Sequence, residues 1–331
     1  MNEKHKEVAD QYDVIVESSY RSRGCYKIVT DQGLMTITPY NGSPLRLACE
    51  YELQKKLMEV GLSELDEIVP NREGGLISYD KYRTPFIMKH SFEGKECNLK
   101  EEEDVKKACE KLAVFHKICR QLEDYQVENR KTPSIRQMLF QKNRELKRIR
   151  NYIKKSGRRT AFELTFTSCY ESFYGEGEQA LLLASKQKDD FWKRGYGICH
   201  GTYHQHNVLI HGEQVFLMNL GQFHYNQQIL DFYNLMRKAM EKNQYELSCL
   251  ESGIEAYNRI LSFSEEDYRL LFILFSFPEK FWKISNQYFN SKKCFMPPKN
   301  LEKLQKTIGQ NEKRREFLEI FSKKYGLEKE E

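Results

Sequence analysis

The sequence predicts an α+β fold: a small β-rich lobe at the N-terminal end, then a larger, mostly helical one. Three observations carry this. Short β-branched runs separated by turn signals fill the first ninety residues, apart from one helical stretch. From about Asn98 the apolar residues recur at helical spacing. Between the two, residues 91–98 read as an extended, hinge-like connection. The expected boundaries are 1–90, 91–98 and 99–331.

In order along the chain, Asp13 to Val16 and Tyr26 to Thr30 read as strands. Asp31-Gln32-Gly33 turns the chain into Leu34 to Thr38, a hairpin. Pro44 opens a helix that Gly61 closes, with Leu47, Tyr51, Leu53 and Leu57 at helical spacing. Gly74-Gly75 separates Ile68-Val69 from Leu76 to Tyr79, a second hairpin signal, and Phe86 to Lys89 is a further strand. Helices are expected over Leu99 to Cys119, Lys142 to Lys154, Phe162 to Lys186, Phe232 to Lys242, Leu247 to Leu261, Glu265 to Phe277 and Leu301 to Tyr325. Pro278, Pro297 and Pro298 interrupt the helical pattern that runs from Ile229 onward. Val208 to Ile210 and Val215 to Met218 flank His211-Gly212-Glu213 as a tight hairpin.

Composition bounds the function. Of 331 residues, 40% are hydrophobic and 31% charged, which is the balance of a folded chain. The net charge of +5, from 53 Lys and Arg against 48 Asp and Glu, is dispersed and makes no case for nucleic acid or membrane as partner. The polar start, MNEKHKEVADQYDV, does not read as a signal peptide, and Leu270 to Phe275, the longest apolar run, is too short to span a bilayer. Nine cysteines without a CxxC pair read as reduced thiols. The basic stretch ELKRIRNYIK reads as a solvated helix face, and Phe281 to Phe289 as core packing or an interaction surface.

The chemistry concentrates in His200-Gly201-Thr202-Tyr203-His204-Gln205-His206-Asn207, followed twelve residues after Asn207 by Asn219. A phosphoryl-transfer site needs a group that orients the acceptor hydroxyl, oxygen ligands for Mg²⁺ and a lysine on the triphosphate. The spacing of this segment, its hairpin and Asn219 suits such a site. It resembles the loop of the aminoglycoside phosphotransferase and choline kinase superfamily, which begins His-Gly-Asp and ends in Asn, with a second Asp after the hairpin.

The resemblance is narrower than that loop. Phe86-Ile87-Met88-Lys89 through Phe92 to Asn98, Leu112-Ala113-Val114-Phe115-His116, Glu145-Leu146, Ile229-Leu230-Asp231-Phe232 and Phe277-Pro278-Glu279-Lys280-Phe281-Trp282 together resemble a CotS-type spore coat protein. What the resemblance implies is a protein-kinase-like bilobal fold and a place in the spore coat. The protein would be made in the mother-cell cytoplasm, would have other coat proteins as partners, and would have neither nucleic acid nor membrane insertion.

Carried over residue by residue, the superfamily's catalytic base falls on Thr202, whose hydroxyl offers no anionic oxygen. Its amide metal ligand falls on Asn207, which is retained. Its metal carboxylate falls on Asn219, a neutral amide. The nucleotide lysine is expected near Thr38, where none stands; Glu50 or Glu52 is its former partner, and Lys27 on the neighbouring strand is a substitute to consider. Ser22-Arg23-Gly24-Cys25 has one glycine and is a poor phosphate cradle. Asp231 matches a residue that braces the loop from the start of a helix, and His200 one that fixes loop geometry.

Four altered parts point away from catalysis. The expectation is a scaffolding protein with a degenerate kinase-like cleft, no enzyme activity, no cofactor and no metal, with residual ATP binding left open. The alternatives are an atypical small-molecule or saccharide kinase using ATP, and a regulator binding a metabolite in the cleft. His200, His204 and His206 with His211 or His224 suggest Zn²⁺ only weakly, and Asp189 or Asp190 is a remote substitute carboxylate.

Overall fold

The computed structural model describes residues 3–22, 24–122, 133–157, 159–290 and 298–327. Arg23 of the first hairpin, Pro297 and the last residues of the charged tail lie outside these. By contacts the chain divides into two compact units. One comprises 1–130, 197–235 and 259–261, the other 131–196, 236–258 and 262–331. The N-terminal region is β-rich and the C-terminal region mostly helical, the bilobal α+β plan expected from sequence.

The first unit opens with a short helix, α1 (Glu3–Ala9), and then β1 (Val16–Ser22), β2 (Cys25–Thr30) and β3 (Gly33–Pro39). The first strand starts three residues later than expected, because Ile15 is exposed and only Val16 enters the ladder. Next come α2 (Pro44–Glu59), β4 (Ile68–Val69), β5 (Ser78–Tyr79) and β6 (Pro85–His90). The six strands form one sheet in the order β1-β2-β3-β6-β4, with β5 also paired to β6. The hairpin expected around Gly74-Gly75 does not form: β4 and β5 each pair with β6 and not with one another.

The sheet has two chemically different faces. Ile28, Met35, Ile37, Phe86 and Met88 are buried on one face, against Val8, Ala9 and Tyr12 of α1 and the turn after it. Side chains alternate along a strand, and directly paired residues of antiparallel strands share a face. Lys27 pairs with Thr36, and Thr36 with Lys89. Thr38 pairs with Ile87. These residues therefore occupy the opposite face, where Ile87 packs with Leu47 of α2 and with Ile68.

β7 (Lys95–Glu96) joins a second sheet, and α3 (Glu102–Cys119) follows, three residues shorter at its start than the spacing suggested. The Asp104 carboxylate accepts from the Asn98 backbone N–H at 2.9 Å, which holds residues 98–101 as a turn.

The second unit is built on α4 (Ile135–Lys155) and α5 (Ala161–Ser185). Ser134 and Gln137 form a capping box, so α4 starts seven residues before the expected Lys142. Buried Ile135, Leu139, Leu146, Ile149 and Ile153 give this basic helix its apolar face. A four-residue helix, α6 (Asp189–Trp192), follows.

β8 (Tyr196–Cys199), β9 (Val208–His211), β10 (Gln214–Leu217) and β11 (His224–Gln227) frame the loop of interest. β9 pairs with both β10 and β7, and β8 with β11. The remaining helices are α7 (Ile229–Lys242), α8 (Leu247–Asn258), α9 (Glu265–Ser276), α10 (Glu279–Asn290), α11 (Pro298–Gly309) and α12 (Asn311–Lys324). The single helix expected over Leu301 to Tyr325 is thus two, broken at Gln310. Phe281, Ile284 and Tyr288 of α10 are buried with Phe162, Phe166 and Phe173 of α5, so that aromatic segment is core.

Candidate functional site

The loop from His200 to Asn207 is held by one buried carboxylate. Asp231, in the first turn of α7, accepts from the backbone N–H of His200 at 2.6 Å and of Gly201 at 3.0 Å. His116 of α3 lies 3.4 Å from the same carboxylate. Burial alone would raise the Asp231 pKa, but His116, His200 and the Gly201 N–H outweigh it and hold the group below the usual carboxylate range. Gly201 sits at φ +82°, and a Cβ there would fall 2.1 Å from the Gln222 carbonyl oxygen, so only glycine fits this turn.

His200 is fully buried, and burial lowers its pKa. The neutral ring fits its partners: Nε2 donates to the Met218 carbonyl at 3.0 Å, while Nδ1 accepts from the Thr202 N–H at 3.4 Å. Tyr203, next in the loop, donates its hydroxyl to the Ala108 carbonyl of α3 at 2.7 Å. The loop is anchored on both sides before any ligand is considered.

Three of the expected site residues converge. Asn219 Nδ2 donates to Asn207 Oδ1 at 2.9 Å. Asn207 Nδ2 donates to the Thr202 carbonyl at 2.9 Å and lies 3.3 Å from the Thr202 hydroxyl. Asn219 adopts a left-handed backbone conformation (φ 64°, ψ 55°), which asparagine tolerates better than most residues. Thr38 stands apart from this group, on β3 opposite Ile87.

Behind Asn219 lies a charged cluster that the sequence reading did not assemble. Leu217 N–H donates to the Glu64 carbonyl at 2.9 Å, and Asp66 N–H to the Leu217 carbonyl at 3.2 Å. Residues 64–66 therefore run beside β10 and deliver Asp66 to the residue two positions beyond it. Asp66 Oδ2 accepts from the Asn219 backbone N–H at 2.8 Å. Lys89, from β6, places its ammonium 2.6 Å from Glu50 Oε1 and 3.4 Å from Asp66 Oδ2. Asp66 Oδ1 is buried without a hydrogen-bond partner.

Of the two candidate glutamates on α2, Glu50 is the one that is buried and paired to a lysine. Burial would lower the Lys89 pKa, but Asp66 and Glu50 together raise it, so the amine stays charged. Burial, opposed by Lys89, raises Asp66 to about 6. The first turn of α2 is tied to the same segment. Arg46 Nε donates to the Gly221 carbonyl at 3.0 Å, a second guanidinium nitrogen donates to the Phe223 carbonyl, and the guanidinium lies 4.0 Å over the Phe223 ring.

The weaker candidates disperse. Lys27 shares the cleft face of the sheet but lies one strand beyond Thr36. His206 pairs with Glu96 at 2.6 Å and His224 Nδ1 lies 3.0 Å from the Gln222 carbonyl oxygen. Among the described residues no three His, Cys, Asp or Glu side chains form a metal-ligating group. Asp189 and Asp190 begin α6 in the second unit.

Sequence reasoning missed Lys89 and Asp66 as site residues. A lysine ending the apolar run Phe86-Ile87-Met88 was a usable signal; Asp66 had none.

Solved structures with the same fold cover nearly the whole chain. An aminoglycoside phosphotransferase from Alicyclobacillus acidocaldarius superposes with a TM-score of 0.83 at 16% identity, over 97% of this chain and 96% of that one. Spectinomycin phosphotransferase APH(9)-Ia, in complex with ADP and spectinomycin, gives 0.67 at 13% identity, over 94% and 96%. Amicoumacin kinase hAmiN, in complex with AMP-PNP, Ca²⁺ and Ami, gives 0.58 at 11% identity, over 94% and 92%.

These findings correct two expectations. That the chain is no enzyme, and that it takes no cofactor, does not stand against a whole-chain likeness to nucleotide-bound phosphotransferases. The physical reason is that the four altered positions leave out charged residues brought in by the fold from elsewhere in the sequence. The charge absent at Thr38 and Asn219 is not absent from the cleft: it stands at Lys89, Glu50 and Asp66. No curated protein sequence matches the chain. The chain belongs to the family described as "Spore coat putative kinase YutH", whose model matches residues 5–321.

Proposed function

We propose that the protein is an ATP-dependent phosphotransferase of the spore coat that acts on a hydroxyl group of a small molecule or saccharide. The observation that carries this reading is the Asp231-braced loop, which sets Asn207 and Asn219 2.9 Å apart beside Thr202. The brace fixes the backbone of the loop, and phosphoryl transfer depends on groups held in fixed positions.

The residues present fit a metal–nucleotide complex. The amide oxygens of Asn207 and Asn219 are hard ligands suited to Mg²⁺, which normally also rests on a carboxylate. Asp66 supplies a negative charge one hydrogen bond behind Asn219, and its buried Oδ1 is unsatisfied. When bound, Mg²⁺·ATP supplies the transferable phosphoryl group.

Thr202 can orient an acceptor hydroxyl by hydrogen bonding but cannot take its proton. Transfer through a loose transition state depends chiefly on positioning and charge. The missing base costs rate, on the order of 10²–10⁴-fold, so slow turnover is expected. Synthesis in the mother cell, deposition in the coat and contact with other coat proteins are part of the same proposal, supported by the family.

The test is ADP production from Mg²⁺·ATP in the presence of candidate polyols, amino alcohols and saccharides. Acceptor-dependent turnover that an Asn207→Ala, Asn219→Ala double variant abolishes supports the proposal. Turnover absent with every acceptor, or unchanged in that variant, contradicts it.

A further inference from the structure

We propose that Lys89 is the lysine that binds the nucleotide's phosphates, taking on β6 the place left vacant at Thr38 on β3. The inference rests on the ATP-dependent reading above and assigns a residue to it.

The register makes the substitution geometrically natural. Thr36 pairs with Lys89 and Thr38 with Ile87, so Lys89 and Thr38 are diagonal neighbours on the same face of the sheet. A side chain as long as lysine spans that separation. Glu50, on the helix covering this face, holds the amine at 2.6 Å. A lysine moved by one strand thus keeps a partner on α2.

The charge balance argues against a purely structural ion pair. Two carboxylates face one ammonium, leaving a net charge of −1 in a nearly closed space, where the Lys89 side chain is 12% exposed. Buried charges are costly, and an apolar cluster of similar volume serves stability at least as well. Asp66 Oδ1 has no partner at all, and such orphaned oxygens are rare in finished interiors. A bound metal–nucleotide complex would offer phosphate oxygens to the ammonium, and its cation, held by the amides of Asn207 and Asn219, would offset carboxylate charge on the Asp66 side.

Lys27 provides an internal comparison. It lies in the same cross-strand row, Lys27–Thr36–Lys89, but on β2, two strands away from β6. If any lysine on this face served equally, replacing either would have the same effect.

The experiment is calorimetric titration of the full chain with ATP and with adenosine, both with Mg²⁺. The proteins are wild type, Lys89→Met, Lys27→Met and Glu50→Gln/Lys89→Met. The double variant keeps the cluster's net charge at −1 and guards against misfolding of the single one, with thermal unfolding as the check. The expected result is that wild type prefers ATP to adenosine, and that both Lys89 variants lose tenfold or more in ATP affinity, while adenosine affinity is unchanged. Lys27→Met should change ATP affinity less than threefold.

A wild type that prefers ATP, with folded Lys89 variants that keep that preference, overturns the assignment and leaves the phosphotransferase reading intact. Loss in Lys27→Met but not at Lys89 moves the role to Lys27 and also overturns it. A wild type that binds neither ligand overturns both readings.

Discussion

Asp66 has the least comfortable environment of any residue in the cleft, because its carboxylate is buried beside a second one and shares a single lysine. Its pKa is raised to about 6 from an ordinary value near 3.8. The folded state therefore holds a proton that the unfolded chain has already released between about pH 4 and 6. Stability from this group is full below the unfolded pKa and is lost as pH rises through 6. Unfolding free energies of wild type minus those of Asp66→Asn should decline across that window and be flat above it. A difference that rises with pH contradicts this account of the site.

Thr202 and Asn219 make the complementary case. Thr202→Asp and Asn219→Asp together place carboxylates beside Asn207 in a frame already ordered by Asp231. Their combination should tighten Mg²⁺·ATP binding about tenfold or more and leave metal-free ATP binding no tighter. Equal or weaker Mg²⁺·ATP binding would show that the frame does not set metal-ligating geometry. These positions were legible because the loop, the hairpin and Asn219 are contiguous in sequence. Lys89 and Asp66 were not. They reach the site through strand register and through residues 64–66 lying along β10; the lysine that ends Phe86-Ile87-Met88 leaves a local trace in the sequence, and Asp66 leaves none.

Among the secondary-structure elements, long periodic helices and the hairpins closed by Gly33 and Gly212 were readable. Pairing partners and helix ends were not. β4 and β5 look like a hairpin because glycines separate them, yet β6 offers each a better-buried partner. The start of α4 is set by the Ser134–Gln137 capping box, which outweighs a sparse apolar pattern before Lys142.

The aromatic segment of α10 could be read two ways, and the structure makes it core. Phe281 stacks on Phe173 at 4.3 Å and on Phe166 at 5.2 Å, and is fully buried. Phe281→Ala should cost roughly 3–5 kcal/mol in denaturant unfolding. A change below about 1 kcal/mol would mean that this helix is not part of the second unit's core.

At the scale of the whole molecule, the fold is that of phosphotransferases across nearly the entire chain. The residues that first suggested an inert relative are confined to a few cleft positions. No described helix is long and apolar enough to cross a membrane. Among the described cysteines, Cys97, Cys109, Cys119 and Cys199 are buried. What the sequence could not convey is where charge accumulates once the strands are paired. Thr202 and Asn219 are neutral, and the charge stands behind Asn219, at Glu50, Asp66 and Lys89.

The central claim is that this cleft takes a metal–nucleotide complex. Calorimetric titration of the wild-type chain with ATP, with and without Mg²⁺, tests it most directly. Saturable binding at one site, tighter with Mg²⁺ than without, is the expected result. No heat of binding and no thermal stabilisation by millimolar Mg²⁺·ATP would contradict it.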